Sequence, residues 1–128
     1  MIPLLVRAFE ASAVIAAFTI VKFSDISATS KVAGASVNTD PLLGCTGAIG
    51  AVAIGDMVDI ILAGIGLVTA GGTITAGALL TTDGTGKAIV AVPTAGVFMS
   101  IIGKAVEPAV SGDVFSFLVN PDAFYRGA

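Results

Sequence analysis

The sequence predicts an all-β fold: a small β-sandwich or β-barrel of about eight to ten short strands with little helix. Short apolar segments rich in Val, Ile and Thr alternate with Gly, Asp and Ser turns, most regularly over residues 64–121. The 128 residues are enough for one hydrophobic core. We therefore expect a single domain over residues 1–128, with an extended N-terminal arm at residues 1–9 and a C-terminal tail at residues 120–128.

The strands can be placed along the chain from composition and turn residues. Residues 1–9 are apolar with Pro3 near their start, which is typical of an edge strand or a flexible arm. Residues 13–22 favour a strand over helical turns because they are rich in β-branched side chains. Further strands are predicted between turn residues at 31–36, 42–46, 57–62, 65–70, 79–82, 87–92, 97–106 and 114–119.

Two Gly-Asp turns lead into similar apolar segments. Gly55-Asp56 precedes Met57, and Gly112-Asp113 precedes Val114, 57 residues later. The pattern hints at two similar β units, but two occurrences do not establish a repeat.

The residue types that carry most enzyme chemistry are missing or isolated. The chain has no His, and its one Cys, Cys45, lies among apolar residues, so neither a catalytic triad nor a multi-cysteine metal site can form. Asp56 and Asp59 would point to opposite faces of a strand. Residues 84–87 lack the first glycine and the final hydroxyl of a phosphate loop, and residues 64–69 lack the third glycine of a dinucleotide fingerprint. We expect no enzyme and no catalytic, cofactor-binding or metal-binding residue.

The composition predicts association with other proteins. Apolar residues make up 55% of the chain and charged residues 12%, and the mean hydropathy is +1.02. Soluble monomers have about a quarter of their residues charged. A surface with so few charges must expose apolar groups, which favours a partner or self-assembly. The net charge is −3 and the six Lys and Arg residues are scattered, so nucleic acid is not expected as a partner.

Two other functions remain open from the residues. Residues 60–82 are uncharged and long enough to span a bilayer, so the chain could be a membrane-associated protein anchored there. Gly71-Gly72 in the middle and Asp59 and Asp83 at the ends argue against such a helix. The N-terminus is a weak signal peptide, so synthesis and retention in a cytoplasm are expected. A small-ligand or carbohydrate-binding β domain would need aromatic platforms, but Trp is absent and Tyr125 is the only Tyr.

The order of the turns and strands resembles that of the small capsid cement, or head decoration, proteins of tailed bacteriophages. Members carry a glycine turn before the central strands, a strand with a Gly-Gly turn, a Thr-Ala-Gly step, an Asp-x-x-Gly-Lys-Ala turn, an Ile-Gly-x-Ala strand and an Ala-x-x-Gly-Asp turn. The corresponding residues are 55–60, 64–72, 75–77, 83–88, 102–105 and 109–113. In place of the charged residue that usually follows the Thr-Ala-Gly step, this chain has Ala78.

The resemblance implies a structural protein of a virion. Such proteins have β-rich folds, are often trimeric, and bind the outer surface of the capsid after synthesis in the host cytoplasm. The implied partners are the major capsid protein and other copies of the chain, with no membrane, nucleic acid or cofactor involved. By analogy, the N-terminal arm would contact the capsid, as an added edge strand, through Met1, Ile2, Pro3, Leu4, Leu5, Val6 and Arg7.

Overall fold

The computed structural model describes residues 2–24, 30–92 and 98–125. Within these ranges the regular structure consists of β-strands without helix. The strands are β1 (Ile2–Glu10), β2 (Ile20–Phe23), β3 (Val32–Gly34), β4 (Leu42–Thr46), β5 (Met57–Thr69), β6 (Leu79–Thr82), β7 (Ala88–Val90), β8 (Phe98–Ala105) and β9 (Val114–Tyr125). They form one curled antiparallel sheet in the shape of a half-barrel, which confirms the all-β prediction.

Strand β5 lies at the centre of the sheet. The strand order is β3-β2-β4-β5-β9-β8-β6-β7, and β1 pairs with the other edge of β5. Along that edge β1 pairs with residues 57–65, whereas the opposite edge pairs first with β4, at residues 60–61, and then with β9, at residues 64–69. The thirteen residues of β5 therefore join the first and second halves of the chain.

The two halves have the same topology. The order is β3-β2-β4-β5-β1 in the first half and β7-β6-β8-β9-β5 in the second. We call the half from β1 to residue 61 unit 1 and the half from residue 62 to β9 unit 2. Their turns also match, because hydrogen bonds between Ala11 and Asp56, Ile15 and Ala51, and Thr19 and Thr46 recur between Ala70 and Asp113, Ile74 and Ala109, and Ala78 and Ala105. The hint of two similar units in the Gly-Asp turns is thus confirmed.

Each unit has its own hydrophobic core. The unit-1 core consists of Phe9, Ala11, Ile15, Val21, Val32, Ala51, Val58 and Ile60. The residues at the matching positions all lie in the unit-2 core: Val68, Ala70, Ile74, Leu80, Ala88, Ala109, Phe115 and Phe117. The unit-2 core is larger, because residues at the junction, including Ile20, Cys45 and Ile61, also belong to it.

An irregularity in β5 lets one strand serve both cores. The register with β1 shifts where Val6 pairs with Ile61 and Leu5 with Ala63, so Leu62 is an extra residue. An extra residue moves the even-numbered side chains that follow it to the other face of the sheet. Val58 and Ile60 therefore point into the unit-1 core, while Val68 lies in the unit-2 core. The sequence predicts two separate strands here, at 57–62 and 65–70. That prediction is wrong, because β5 stays paired with β1 on both sides of the bulge and forms one strand.

The units place their aromatic side chains differently. In unit 1, Phe9 and Phe23 meet edge to face with ring centroids 6.0 Å apart. The matching residues of unit 2 are Val68 and Thr82, and there the large rings come instead from Phe115 and Phe117, both fully buried. The same backbone arrangement therefore accommodates aromatic rings on the first two strands of unit 1 and on the last strand of unit 2.

The strand predicted at residues 13–22 is mostly wrong. Only Ile20–Phe23 is extended, because the chain turns at Ala17 and Phe18, and Phe18 has a positive φ of 52°. The matching residue of unit 2 is Gly77, with φ of 83°, so the shared turn requires a left-handed residue at this position.

Strand β9 continues past the point where the sequence predicts its end. Asn120 and Pro121 lie in a register shift, between the pairs Gly103–Val119 and Ile101–Asp122. A proline is tolerated in a strand at such a bulge because no ladder hydrogen bond is required of it. Residues 122–125 then pair with residues 98–101 of β8, so residues 120–125 form strand rather than tail.

The segment considered as a membrane anchor, residues 60–82, forms part of β5, a turn and β6. Among the described residues there is no helix with the length and apolar character needed to cross a membrane.

Candidate interaction surface

The groups tested for chemistry have structural roles. Burial raises the pKa of the Cys45 thiol, and a hydrogen bond with the Leu67 backbone lowers it by a smaller amount. The resulting pKa is about 12, so the thiol is protonated at neutral pH. The Asp56 carboxylate accepts the Ala53 N–H at 3.0 Å and closes its own turn, while Asp59 is exposed on β5. In the described ranges, no three His, Cys, Asp or Glu residues are grouped closely enough to hold a metal ion.

The loop that superficially resembles a phosphate loop is closed by its own carboxylate. Oxygen Oδ1 of Asp83 accepts the N–H groups of Thr85 and Lys87 at 2.8 and 3.0 Å. These are the backbone donors that would otherwise be free to approach an anion. The loop therefore connects β6 and β7 as an Asx-type turn, as its predicted hairpin position requires.

Strand β1 has an open edge and an exposed middle. It pairs with β5 and with no other described strand. Residues 5–8 are exposed on both faces of the strand, with Leu5 at 55% and Val6 at 44% of their full exposure. Of the predicted contact residues, Leu5, Val6 and Arg7 thus lie together on β1. Met1 lies outside the described residues, as do the side chains of Ile2, Pro3 and Leu4.

The C-terminal end of β1 is tied to the rest of unit 1. The Arg7 guanidinium lies 4.7 Å from the centre of the Phe9 ring, and Phe9 is itself buried in the unit-1 core. Next along the strand, Glu10 forms an ion pair with Lys31 at 2.9 Å. Residues 9 and 10 are therefore anchored, and the exposed part of the arm is short.

A second exposed surface lies where unit 1 turns into β5. Five large apolar side chains there retain 65–86% of their full exposure: Val14, Ile49, Val52, Ile54 and Met57. We call this group the unit-1 end. Its backbone is held by paired hydrogen bonds between Ile15 and Ala51 and by a bond from the Gly55 N–H to the Ala11 carbonyl, each 2.8–2.9 Å long. The apolar side chains thus project from a well-ordered turn.

The matching turn of unit 2, which we call the unit-2 end, carries a more polar surface. Thr73 replaces Val14, Ser111 replaces Ile54, and Glu107 occupies the position of Ile49, two residues before the paired alanine. Val52 has no counterpart, because Ala51 matches Ala109 while Ala53 matches Val110. The apolar groups exposed at the unit-2 end are smaller, and Val106, Val110 and Val114 retain 44–58% of their full exposure.

No local pattern in the sequence marks the unit-1 end. Its residues lie in two segments, 14 and 49–57, which the Ile15–Ala51 pairing brings together. Aligning the two halves of the chain at their Gly-Asp turns, 57 residues apart, would have shown Ile54 opposite Ser111, whereas Val14 and Thr73 are 59 residues apart and match only when the insertions between, Val52 among them, are known. That alignment requires knowing that the halves share one fold.

The fold is similar to that of a solved phage structure. The crystal structure of the head fiber gp8.5 N base of bacteriophage phi29 superimposes with a TM-score of 0.67 at 23% sequence identity, covering 91% of this chain and 93% of that chain. At this identity the likeness establishes a shared fold. No protein-family model matches the chain, and no curated protein does.

Proposed function

We propose that the chain is a non-catalytic structural protein of a phage virion, which binds the outer surface of the head and stabilises the mature shell. The observation that carries the proposal is the fold shared over nearly the whole chain with a protein named as the base of a phage head fiber. The resemblance of the turn and strand order to head decoration proteins supports the same class.

The surface is suited to protein contacts rather than to small molecules. Apolar side chains are exposed on β1, most strongly at the unit-1 end and less so at the unit-2 end, and charged residues make up only 12% of the chain. Such a surface can pack against a shell with little desolvation of charge. Binding to the assembled shell, and not to its separated subunits, would stabilise the shell by mass action.

The partners in this proposal are the major capsid protein and two further copies of the chain. A trimer that bridges several capsid subunits gains avidity without strong individual contacts. Strand β1 fits the role of a capsid contact because its outer edge is open and residues 5–8 are exposed on both faces. An extended segment of a partner could add to that edge by backbone hydrogen bonds.

The test uses heads that lack the protein. We expect added protein to bind them and to raise the temperature at which they release DNA; heads that neither bind the protein nor gain stability would overturn the proposal. Whole deletion of residues 1–9 would remove the buried Phe9, so the contact through β1 is better tested with Leu5→Ser and Val6→Ser together. The control is Val92→Ser, at an apolar residue that retains 65% of its full exposure and lies just after β7, away from β1.

A second candidate is the base of a head fiber rather than a cement protein. This alternative is favoured because the superposition covers 93% of the phi29 fiber base. Electron microscopy of heads carrying the protein separates the two. Density that extends outward from each bound copy indicates a fiber base, and low, closely fitting density indicates a cement protein.

A further inference from the structure

The two units place their turn clusters at opposite ends of β5. The unit-1 end precedes Met57, and the matching turn of unit 2 is hydrogen-bonded to Ala70, directly after Thr69. Strand β5 is not straight between them, because Gly64 has a positive φ of 96°, and Phe18 both donates to the Gly47 carbonyl and accepts the Thr69 N–H. The two ends of one bent strand thus carry chemically different surfaces.

The polar residues of unit 2 show that this fold does not require apolar side chains at the turn. Thr73 and Ser111 occupy the positions of Val14 and Ile54 in a turn with the same backbone hydrogen bonds. All four residues are exposed, so core packing does not explain the difference. The apolar character of the unit-1 end therefore needs another explanation, and exposed apolar clusters commonly mark interaction sites.

The geometry points to the unit-1 end, rather than the unit-2 end, as the surface that docks on the capsid shell. This inference rests on the proposed function. Val52, the most exposed of these side chains at 86%, is the residue without a counterpart in unit 2. The surface is also continuous with β1, because Met57 pairs with Glu10 at the end of that strand.

The charges near the unit-1 end indicate the chemistry of the capsid surface it would fit. Asp56 and Asp59 border it, and residues 11–15 and 49–59 contain no Lys or Arg. Two cations lie on neighbouring segments: Lys31 forms an ion pair with Glu10, and Arg7 lies over the Phe9 ring. The complementary capsid surface is an apolar depression bordered by Lys or Arg side chains, which would favour encounter at low salt.

The matched experiment exchanges the exposed residues of the two ends. Val14→Thr with Ile54→Ser gives unit 1 the residues of unit 2, and Thr73→Val with Ser111→Ile makes the opposite change as a control. Each is compared with wild type for affinity to heads lacking the protein, for thermal unfolding and for oligomeric state. We expect the first variant to lose about 10- to 100-fold in affinity, with unfolding and oligomeric state unchanged, and the control to bind as wild type does.

Three results would overturn the inference. Wild-type affinity of the first variant would show that the unit-1 end does not face the shell. Dissociation of that variant into monomers would show that another copy of the chain covers it. A comparable loss in the control would show that the two ends are not distinguished. If wild-type protein itself fails to bind heads, the proposed function fails instead, which separates the two outcomes.

A further variant, Asp59→Lys, is expected to weaken binding most at low salt.

Discussion

Units 1 and 2 share a topology, a set of turns and matching core positions, but differ in where they place large side chains. Unit 1 takes its rings from β1 and β2 and exposes Ile, Val and Met at its turn, whereas unit 2 takes its rings from β9 and exposes Thr, Ser and Glu beside three less exposed Val side chains. The backbone pattern is thus set by features common to both, namely left-handed turn residues, close strand crossings and buried positions. The side chains that differ are free to serve packing in one place and binding in another.

The largest effect is expected from emptying the matching core positions. Phe117→Ala should cost about 3–5 kcal/mol in free energy of unfolding and Ile60→Ala about 2–5, since both side chains are fully buried. Because β5 belongs to both cores, each variant should still unfold in one transition. Urea denaturation followed by circular dichroism, with hydrogen exchange resolved by residue, measures both quantities. Loss of one unit while the other stays protected would show that the units fold independently.

A second comparison concerns two glycines, in β4 and β8, that lie against the backbone of the neighbouring strand. Gly44 and Gly103 occupy matching positions, and an added Cβ would overlap the carbonyl oxygen of Ile61 in one case and of Leu118 in the other. We expect Gly44→Ala and Gly103→Ala each to lower the free energy of unfolding by about 1–3 kcal/mol. Gly72→Ala is the control, because that position has open space and its unit-1 counterpart is already Ala13. Equal stability of all three variants would contradict this account.

The shared left-handed turn predicts a smaller difference. Gly77→Ala should cost about 1 kcal/mol from the backbone alone, since φ is 83° and nothing lies near the added Cβ. In unit 1, Phe18→Gly should be more stable than Phe18→Ala by about the same amount, because both variants lose the ring and only glycine relieves the strain. Thermal unfolding of the three variants measures this; an Ala variant as stable as the Gly variant would argue against a positive φ at Phe18.

The smallest effect depends on pH. Burial of Asp40 acts to raise its pKa, but hydrogen bonds from the N–H groups of Ser36 and Val37 and the charge of Lys22 outweigh it, so the pKa lies below its ordinary value. A depressed pKa stabilises the fold above the ordinary pKa of the carboxyl, and this stabilisation is lost as the pH falls through the lowered value. Asp40→Asn should therefore cost about 1 kcal/mol at pH 7 and nothing once the carboxyl is protonated in both states.

Unit 2 supplies the contrast for this pH dependence. The residue matching Lys22 is Thr81, whose hydroxyl donates to the Ser100 carbonyl at 2.8 Å. Because no ionisable group takes part, Thr81→Val should lower the stability by an amount that does not change between pH 3 and pH 7. A pH-dependent loss in Thr81→Val, or a constant one in Asp40→Asn, would contradict the assignment.

The parts of the fold that follow local rules could be predicted from the sequence. Strands β4 and β6 lie at residues 42–46 and 79–82, as predicted, because apolar residues there are bounded by turn residues. Gly103, inside the strand predicted at 97–106, lies beside a register shift in β8. Local composition could not show that Phe18 adopts a positive φ, or that a bulge at Leu62 carries one strand between two cores, since both depend on tertiary contacts.

The two candidate interaction surfaces could be predicted only in part. An exposed N-terminal strand could be inferred from the apolar, Pro-containing residues 1–9, although the burial of Phe9 could not. The unit-1 end has no local signal, because Val14 and Ile54 look like ordinary core residues when read in sequence order. Their exposure follows from the pairing of Ile15 with Ala51, which places the neighbouring side chains outside the core.

The pairing of β8 with the last residues of β9 has a consequence for growth of the sheet. Strand β9 of unit 2 matches β5 of unit 1. Residues 120–125 of β9 therefore correspond to the second half of β5, with which unit 2 begins. On β5 that edge receives β9, the closing strand of the next unit, but on β9 it is already taken by residues 98–101 of β8, which is three residues longer than β4. In repeat proteins a terminal element that covers the next stacking surface acts as a cap. Here the longer β8 covers that edge, and shortening it to the length of β4 is expected to open an acceptor edge for further strands.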